Sequence, residues 1–248
     1  MRILLALLIC AALPAHAEKI VLGLSQDEVA ISATFEGSDI LVFGAIKRDA
    51  PMPEGDLGVI VTVAGPDTEV TVRRKEKRLG IWVNTDEVDV DAAPSFYAVA
   101  SSGALDDVLR ATEDLRERIS LPSMIRMVGT NVMDSRNFSN ALMRIRTDAQ
   151  LYQTLDNAVD FQDDTLFRTR IALPANLTEG DYATRIFLTR NGTIVDSYET
   201  AIPVYKVGLE RWLYNLAHEN AFLYGLMSLA IAIAAGWSAS AVFSLFRR

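Results

Sequence analysis

Between Lys19 and Ser101 the apolar residues come in short alternating or unbroken runs: "KIVLGLS", "EVAISATF", "DILVFGAIK", "LGVIVTVAG", "EVTVRR", "LGIWVN" and "SFYAVAS". Valine and isoleucine dominate them, and clusters such as "EGSD" and "APMPEGD" separate them, so each reads as a strand. Seven strands at this spacing predict a mainly β chain, an immunoglobulin-like antiparallel β-sandwich. After Ser102 the period lengthens. Leu105, Val108, Leu109, Thr112, Leu115 and Ile119 share one helical face, which predicts an amphipathic helix punctuated by Pro122. A second helical pattern runs from about Asn137 to Tyr152, with Phe138, Ala141, Leu142, Ile145 and Ala149 on one side and "GTNVMDSRN" as the loop before it. Strand character returns at "LFRTRIALP" and "TEGDYATRIFLTRNGTIVDSYETAIPVYK". There Asn191-Gly192 predicts a type I′ hairpin turn, and "LTEGDY" has the spacing of a tyrosine corner around Tyr182. We expect these last strands to complete the first sandwich, with the helices (about 103–155) as an insertion, because three strands alone make a thin sandwich.

Two apolar segments at the ends follow neither period. "MRILLALLICAALPAHA" places Arg2 before an apolar run from Ile3 to Leu13 and closes on Ala15-His16-Ala17, the pattern of a cleaved secretory signal. The run is shorter than the roughly 20 residues a membrane span needs. The second segment, Ala221 to Phe246, holds no charged residue and precedes Arg247-Arg248, which predicts one transmembrane helix with its carboxy terminus in the cytoplasm. Within it Ser228, Ala232, Gly236, Ser240 and Ser244 recur every fourth residue, a stripe that lets a second helix approach closely. Composition alone also produces such stripes in a span rich in alanine and serine. The expected map is therefore signal 1–17, exported β region 18–208, juxtamembrane segment 209–220, span 221–246 and cytoplasmic end 247–248.

Losing the signal removes Cys10, the single cysteine, together with His16, and leaves His218 as the one imidazole. Disulfides, thiolate nucleophiles, histidine triads and histidine-rich metal sites then have no residues to build them. No cofactor or metal is expected, and the formal net charge of −8 argues against a nucleic-acid partner. Glu87, Asp89 and Asp91 alternate as calcium-loop ligands would, but no glycine follows the third and no bidentate glutamate closes the loop. A solvated strand face is the simpler reading. Asp163-Asp164 and Asp106-Asp107 are weaker pairs still.

Charge changes the picture at one place. In "TVRRKEKRLGIWVN", Arg73, Arg74, Lys75, Lys77 and Arg78 surround Glu76 and lead to Trp82. With strands on either side, Arg74 to Arg78 is expected to form a solvated hairpin loop. Two readings stay open: a turn whose lysines blunt strand edges, or a binding patch for an anionic ligand, acidic headgroups or an acidic protein surface. Leu79, Ile81 and Val83 would face one way and Trp82 the other, so this strand is expected to be covered on both faces or to end near a partner.

The signal, "VRRKEKRLGIWVNTD", "PSFYAVASS" leading into a helix, "LPANLTEGDYATRIFLTRNGTIV" and the terminal span together resemble the alphaproteobacterial putative transmembrane protein family over essentially the whole chain. The resemblance implies a Gram-negative inner membrane with the β region in the periplasm, and genes beside sulfite-exporter-like permeases. It implies no catalytic residues. The expected function is a non-enzymatic accessory protein, anchored by its single span, that assists a membrane partner such as that permease or forms a homodimer through the helix. An envelope adhesion module is the alternative, and a hydrolase using carboxylates such as Asp89 or Asp163 ranks third.

Overall fold

The computed structural model describes residues 18–26, 28–31, 35–48, 54–126, 135–207 and 209–246. The expected signal at 1–17, with Cys10 and His16, and the terminal Arg247-Arg248 lie outside them. The chain is mostly β, in several sheets, with one apolar carboxy-terminal helix long enough to cross a membrane.

Strands β1 (Glu18–Leu24), β3 (Ser38–Arg48), β10 (Leu166–Leu173) and β9 (Asp160–Gln162) form a four-stranded sheet in that order. A six-stranded sheet runs β2 (Val29–Ile31), β12 (Thr193–Lys206), β11 (Gly180–Arg190), β4 (Leu57–Ala64), β7 (Tyr97–Ser101) and β8 (Tyr152–Leu155). The pairings are antiparallel at β1–β3, β3–β10, β4–β11 and β11–β12, and parallel at β7–β8. The carboxy-terminal strands thus enter both sheets: β10 pairs β3, and β11 pairs β4. β10 alternates strictly between exposed and buried, whereas β4 and β7 are buried residue after residue.

The helical segment explains that difference. Between β7 and β8 lie α1 (Leu105–Val108), α2 (Ala111–Glu117), α3 (Leu121–Met124) and α4 (Ser135–Asp148). The Tyr97 hydroxyl on β7 donates to the Ile119 carbonyl at 2.7 Å, and the Arg185 guanidinium on β11 donates to the Glu117 carbonyl at 2.9 Å. The segment therefore covers the second face of the larger sheet, and a strand covered on both faces carries an unbroken apolar run.

The single amphipathic helix expected from Leu105 to Ile119 is instead two short ones. Leu109 and Arg110 between them are extended, with Leu109 at φ −139° and ψ 125°. The Arg110 amide donates to the Gly192 carbonyl at 2.9 Å, a tertiary bond that would be lost in a continuous helix. Leu109 and Ile119 are buried, while Leu115 is 72 % exposed. Downstream, the Asp114 carboxylate accepts from the amides of Ile119 and Ser120 and from the hydroxyls of Ser120 and Ser123, which stitches α2 to the start of α3. These bonds to the ionised form hold Asp114 below the usual aspartate range although burial opposes ionisation. α4 begins at Ser135, inside the stretch expected to be loop, and buries Phe138 and Leu142 but leaves Ile145 exposed.

Asn191 and Gly192 both have positive φ, 49° and 77°, as the type I′ turn requires. Tyr182, fully buried, donates its hydroxyl to the Thr178 carbonyl at 2.9 Å, the bond a tyrosine corner makes. The two sheets are tied by a charged cluster at their edge. Glu18 on β1 accepts from the Arg48 guanidinium on β3 at 2.9 Å and from Arg190 on β11 at 2.7 and 2.8 Å.

A separate unit contains α5 (Leu209–Glu219) and α6 (Ala221–Phe246). At about 1.5 Å per residue, 26 residues exceed the roughly 30 Å hydrocarbon core. Ser228, Ala232, Gly236 and Ser240 are exposed on α6, and a Cβ added at Gly236 would meet nothing within 4 Å. Ser244 falls on the same helix, but its side chain lies outside the described residues.

Candidate functional site

The basic run does not form a loop. β5 (Asp67–Arg78) carries all of it and pairs with β6 (Ile81–Pro94) as a two-stranded antiparallel ribbon. The turn shrinks to Leu79-Gly80, at φ 49° and 87°. The cause is the acidic run on β6: Arg73 stands opposite Glu87 and Arg74 opposite Asp86, with ion pairs at 3.1 and 3.7 Å. Opposite charges across a strand pair favour continued pairing. Thr71 adds a hydrogen bond to the Asp89 carboxylate at 2.7 Å. The two charge anomalies of the sequence are therefore largely one feature, zipped together.

The ribbon is anchored at its base and bare at its end. Val72, Val88 and Val90 are buried, and the Arg74 guanidinium lies 4.8 Å from the centre of the buried Phe138 ring of α4. Glu87, Asp89 and Asp91 alternate with those valines on the solvent side, as a solvated strand face would. Beyond Arg74 the side chains of β5 are all exposed. Leu79 is 106 %, Ile81 66 % and Trp82 67 % exposed. Of the two expectations for this strand, cover on both faces is not met among the described residues, where the apolar residues at its tip stay exposed. Cross-strand register sets Trp82 beside Lys77 on one face and Ile81 beside Arg78 on the other. Arg78 pairs with Glu76 at 3.6 Å on a solvated strand, whereas no ion pair involves Lys75 or Lys77 among the described residues. From Lys75 to Asn84 three basic residues oppose one acidic one.

Among the described residues, grooves elsewhere include two of note. The larger, about 710 Å³, opens beside β8 and is bordered by Ser38, Asp39, Gln150, Gln153, Thr154 and Pro174. The smaller, about 380 Å³, lies on the four-stranded sheet around Phe43, Leu166 and Arg168. Neither Asp89 nor Asp163 borders them. Asp163-Asp164 form the left-handed turn between β9 and β10, and Asp106-Asp107 lie in the first turn of α1. No cluster of three histidine, cysteine or acidic residues suited to a metal occurs among the described residues. His218 stacks on Tyr214, ring centres 4.0 Å apart, one helical turn away in α5.

The shifted groups serve architecture. Burial pushes the Tyr97 phenol up to about 12 and Tyr152 to about 12, and their hydroxyls donate to the carbonyls of Ile119 and Pro94. Burial also acts on Glu18, but its hydrogen bonds and charge interactions with Arg190 and Arg48 prevail and hold it below the usual range.

The family described as "Putative transmembrane protein" (Alph_Pro_TM) matches residues 19–245, from β1 to the end of α6. The chain belongs to this family. The match takes in the ribbon, the helical segment and the apolar carboxy-terminal helix together. A search of curated proteins returns no match. Sequence reasoning singled out Arg73, Arg74, Lys75, Lys77, Arg78 and Trp82, and the structure moves Arg74 to Arg78 from the expected loop into β5. The missed signal was the acidic run "TDEVDVD", whose positions complement the basic run in a hairpin with its turn at Leu79-Gly80.

Proposed function

We propose that the protein is a non-enzymatic accessory protein of the bacterial inner membrane, with its β region in the periplasm and Arg247-Arg248 in the cytoplasm. The observation that carries this reading is α6: an uncharged 26-residue helix on which Ser228, Ala232, Gly236 and Ser240 are exposed among the described residues. Close-packing small residues suit a helix that docks on another membrane helix. The partner class is a sulfite-exporter-like permease, and a second copy of the chain is the competing occupant. The strand orders β1-β3-β10-β9 and β2-β12-β11-β4-β7-β8, with the Tyr182 bond, favour an immunoglobulin-like sandwich as the exported module.

Affinity purification from detergent-solubilised membranes tests the docking. A permease that co-purifies with the wild type and is lost with Gly236→Leu supports it. A chain that runs alone as a monomer, with Gly236→Leu indistinguishable in the cell, removes it. A reporter fused after Arg248 that is active only in the cytoplasm fixes the orientation, and amino-terminal sequencing beginning at Glu18 fixes the processing site.

A further inference from the structure

The free end of the β5–β6 ribbon combines three features that solvation alone does not explain. Leu79 is fully exposed and also held at φ 49°, a conformation in which a bulky side chain is strained and asparagine or glycine is at ease. Ile81 and Trp82 extend the exposed apolar surface from that turn on both faces of the ribbon. Lys75, Lys77 and Arg78 ring it with long stems that can keep their charges in water while the apolar tip is buried. We propose that this tip is a second membrane contact, in which Leu79, Ile81 and Trp82 insert among the headgroups of an anionic lipid leaflet and the three cations pair with lipid phosphates. The proposal rests only on the chain being held at a membrane by α6.

Charge distribution selects this occupant. The chain as a whole is acidic and an anionic surface repels it, yet apart from Glu76 the acidic groups of the ribbon lie well below the tip. Glu87 pairs with Arg73, six residues below the turn, which at about 3.3 Å per residue is roughly 20 Å from the tip. That is about two Debye lengths at physiological salt, so at the tip Lys75, Lys77 and Arg78 outweigh the one carboxylate among them, Glu76, and the ribbon is polarised, positive outward. Tryptophan prefers the interfacial zone of a bilayer. An acidic protein surface would satisfy the cations but not three bare apolar residues at a protruding turn.

The test uses the full chain reconstituted in vesicles, with Trp212→Phe and Trp237→Phe so that Trp82 is the one remaining tryptophan of three. In phosphatidylcholine vesicles containing phosphatidylglycerol, Trp82 emission should shift to the blue, resist acrylamide and be quenched by brominated lipid. All three effects should disappear with Lys75→Glu/Lys77→Glu/Arg78→Glu and weaken in high salt. The milder Lys75→Gln/Lys77→Gln pair should reduce them partly, and unchanged thermal unfolding of both variants excludes a folding defect as the cause. Solvent-like, acrylamide-accessible Trp82 in these vesicles overturns the proposal. So does acrylamide protection without quenching by brominated lipid, which would mean a protein covers the tip, and so does equal quenching in phosphatidylcholine alone. Alkaline extraction reads the anchor separately. A chain released from the vesicles removes the single-pass reading, whereas an anchored chain with exposed Trp82 removes only this one.

Discussion

Replacing Glu18 by glutamine should destabilise the fold more than any substitution on the ribbon. The Glu18 side chain is 5 % exposed and accepts three hydrogen bonds, one from Arg48 and two from Arg190, whose side chains are 17 % and 9 % exposed. Removing the carboxylate takes the counter-charge that Glu18 supplies away from two guanidinium groups partly out of water, a loss of about 3–5 kcal/mol for buried pairs of this kind. For a chain of this size each kcal/mol moves Tm by about 2–4 °C, so thermal unfolding in detergent should fall by roughly 6–20 °C. Acid should show the same linkage. Because the folded pKa lies below the reference 4.5, the contribution is complete above that value and is lost as pH falls through the folded pKa. The difference between wild type and Glu18→Gln should therefore be largest near neutrality and close under acid. Exchanging the whole cluster for apolar residues, Glu18→Leu/Arg48→Met/Arg190→Met, should cost less than the single change, since no charge is stranded. A Glu18→Gln Tm within 2 °C of wild type, or a gap that widens toward acid, would refute the reasoning.

Leu79→Asn should raise stability by about 0.5–1 kcal/mol in urea unfolding, because asparagine tolerates the left-handed turn and no packing is lost, even as it removes an apolar tip residue. Asp114→Ala should cost about 2–3 kcal/mol, since four donors lose a charged acceptor at once, and the penalty should vanish toward acid as the wild-type carboxylate is itself protonated; chemical denaturation across pH reads both. Tyr182→Phe should cost about 1–1.5 kcal/mol by the loss of one bond to Thr178, with the ring still filling its site, and the same unfolding assay measures it.

What the residue order determined on its own was whatever depends on near neighbours. Uncharged length marks α6 as a span candidate, alternation marks β10, Asn191-Gly192 dictates its turn because both residues accept positive φ, and Tyr182 bonds back only four residues. The run in β4 was legible as a strand, though its two-sided burial depends on the helical segment that covers it. Tertiary structure decided the rest wherever the partner is remote. Arg190 meets Glu18 across 172 residues. The helix expected through Leu109 breaks because the Arg110 amide finds Gly192, far along the chain. The ribbon lies between these cases: its basic and acidic runs are near in sequence, but only the position of the turn sets which charge opposes which. A turn placed at Arg74–Arg78 would have scattered those pairs into solvent, whereas a turn at Leu79-Gly80 aligns Arg73 with Glu87 and leaves Trp82 bare. Short-range propensity is weak at a leucine in a left-handed turn, so cross-strand charge and burial at Val72, Val88 and Val90 determined the register.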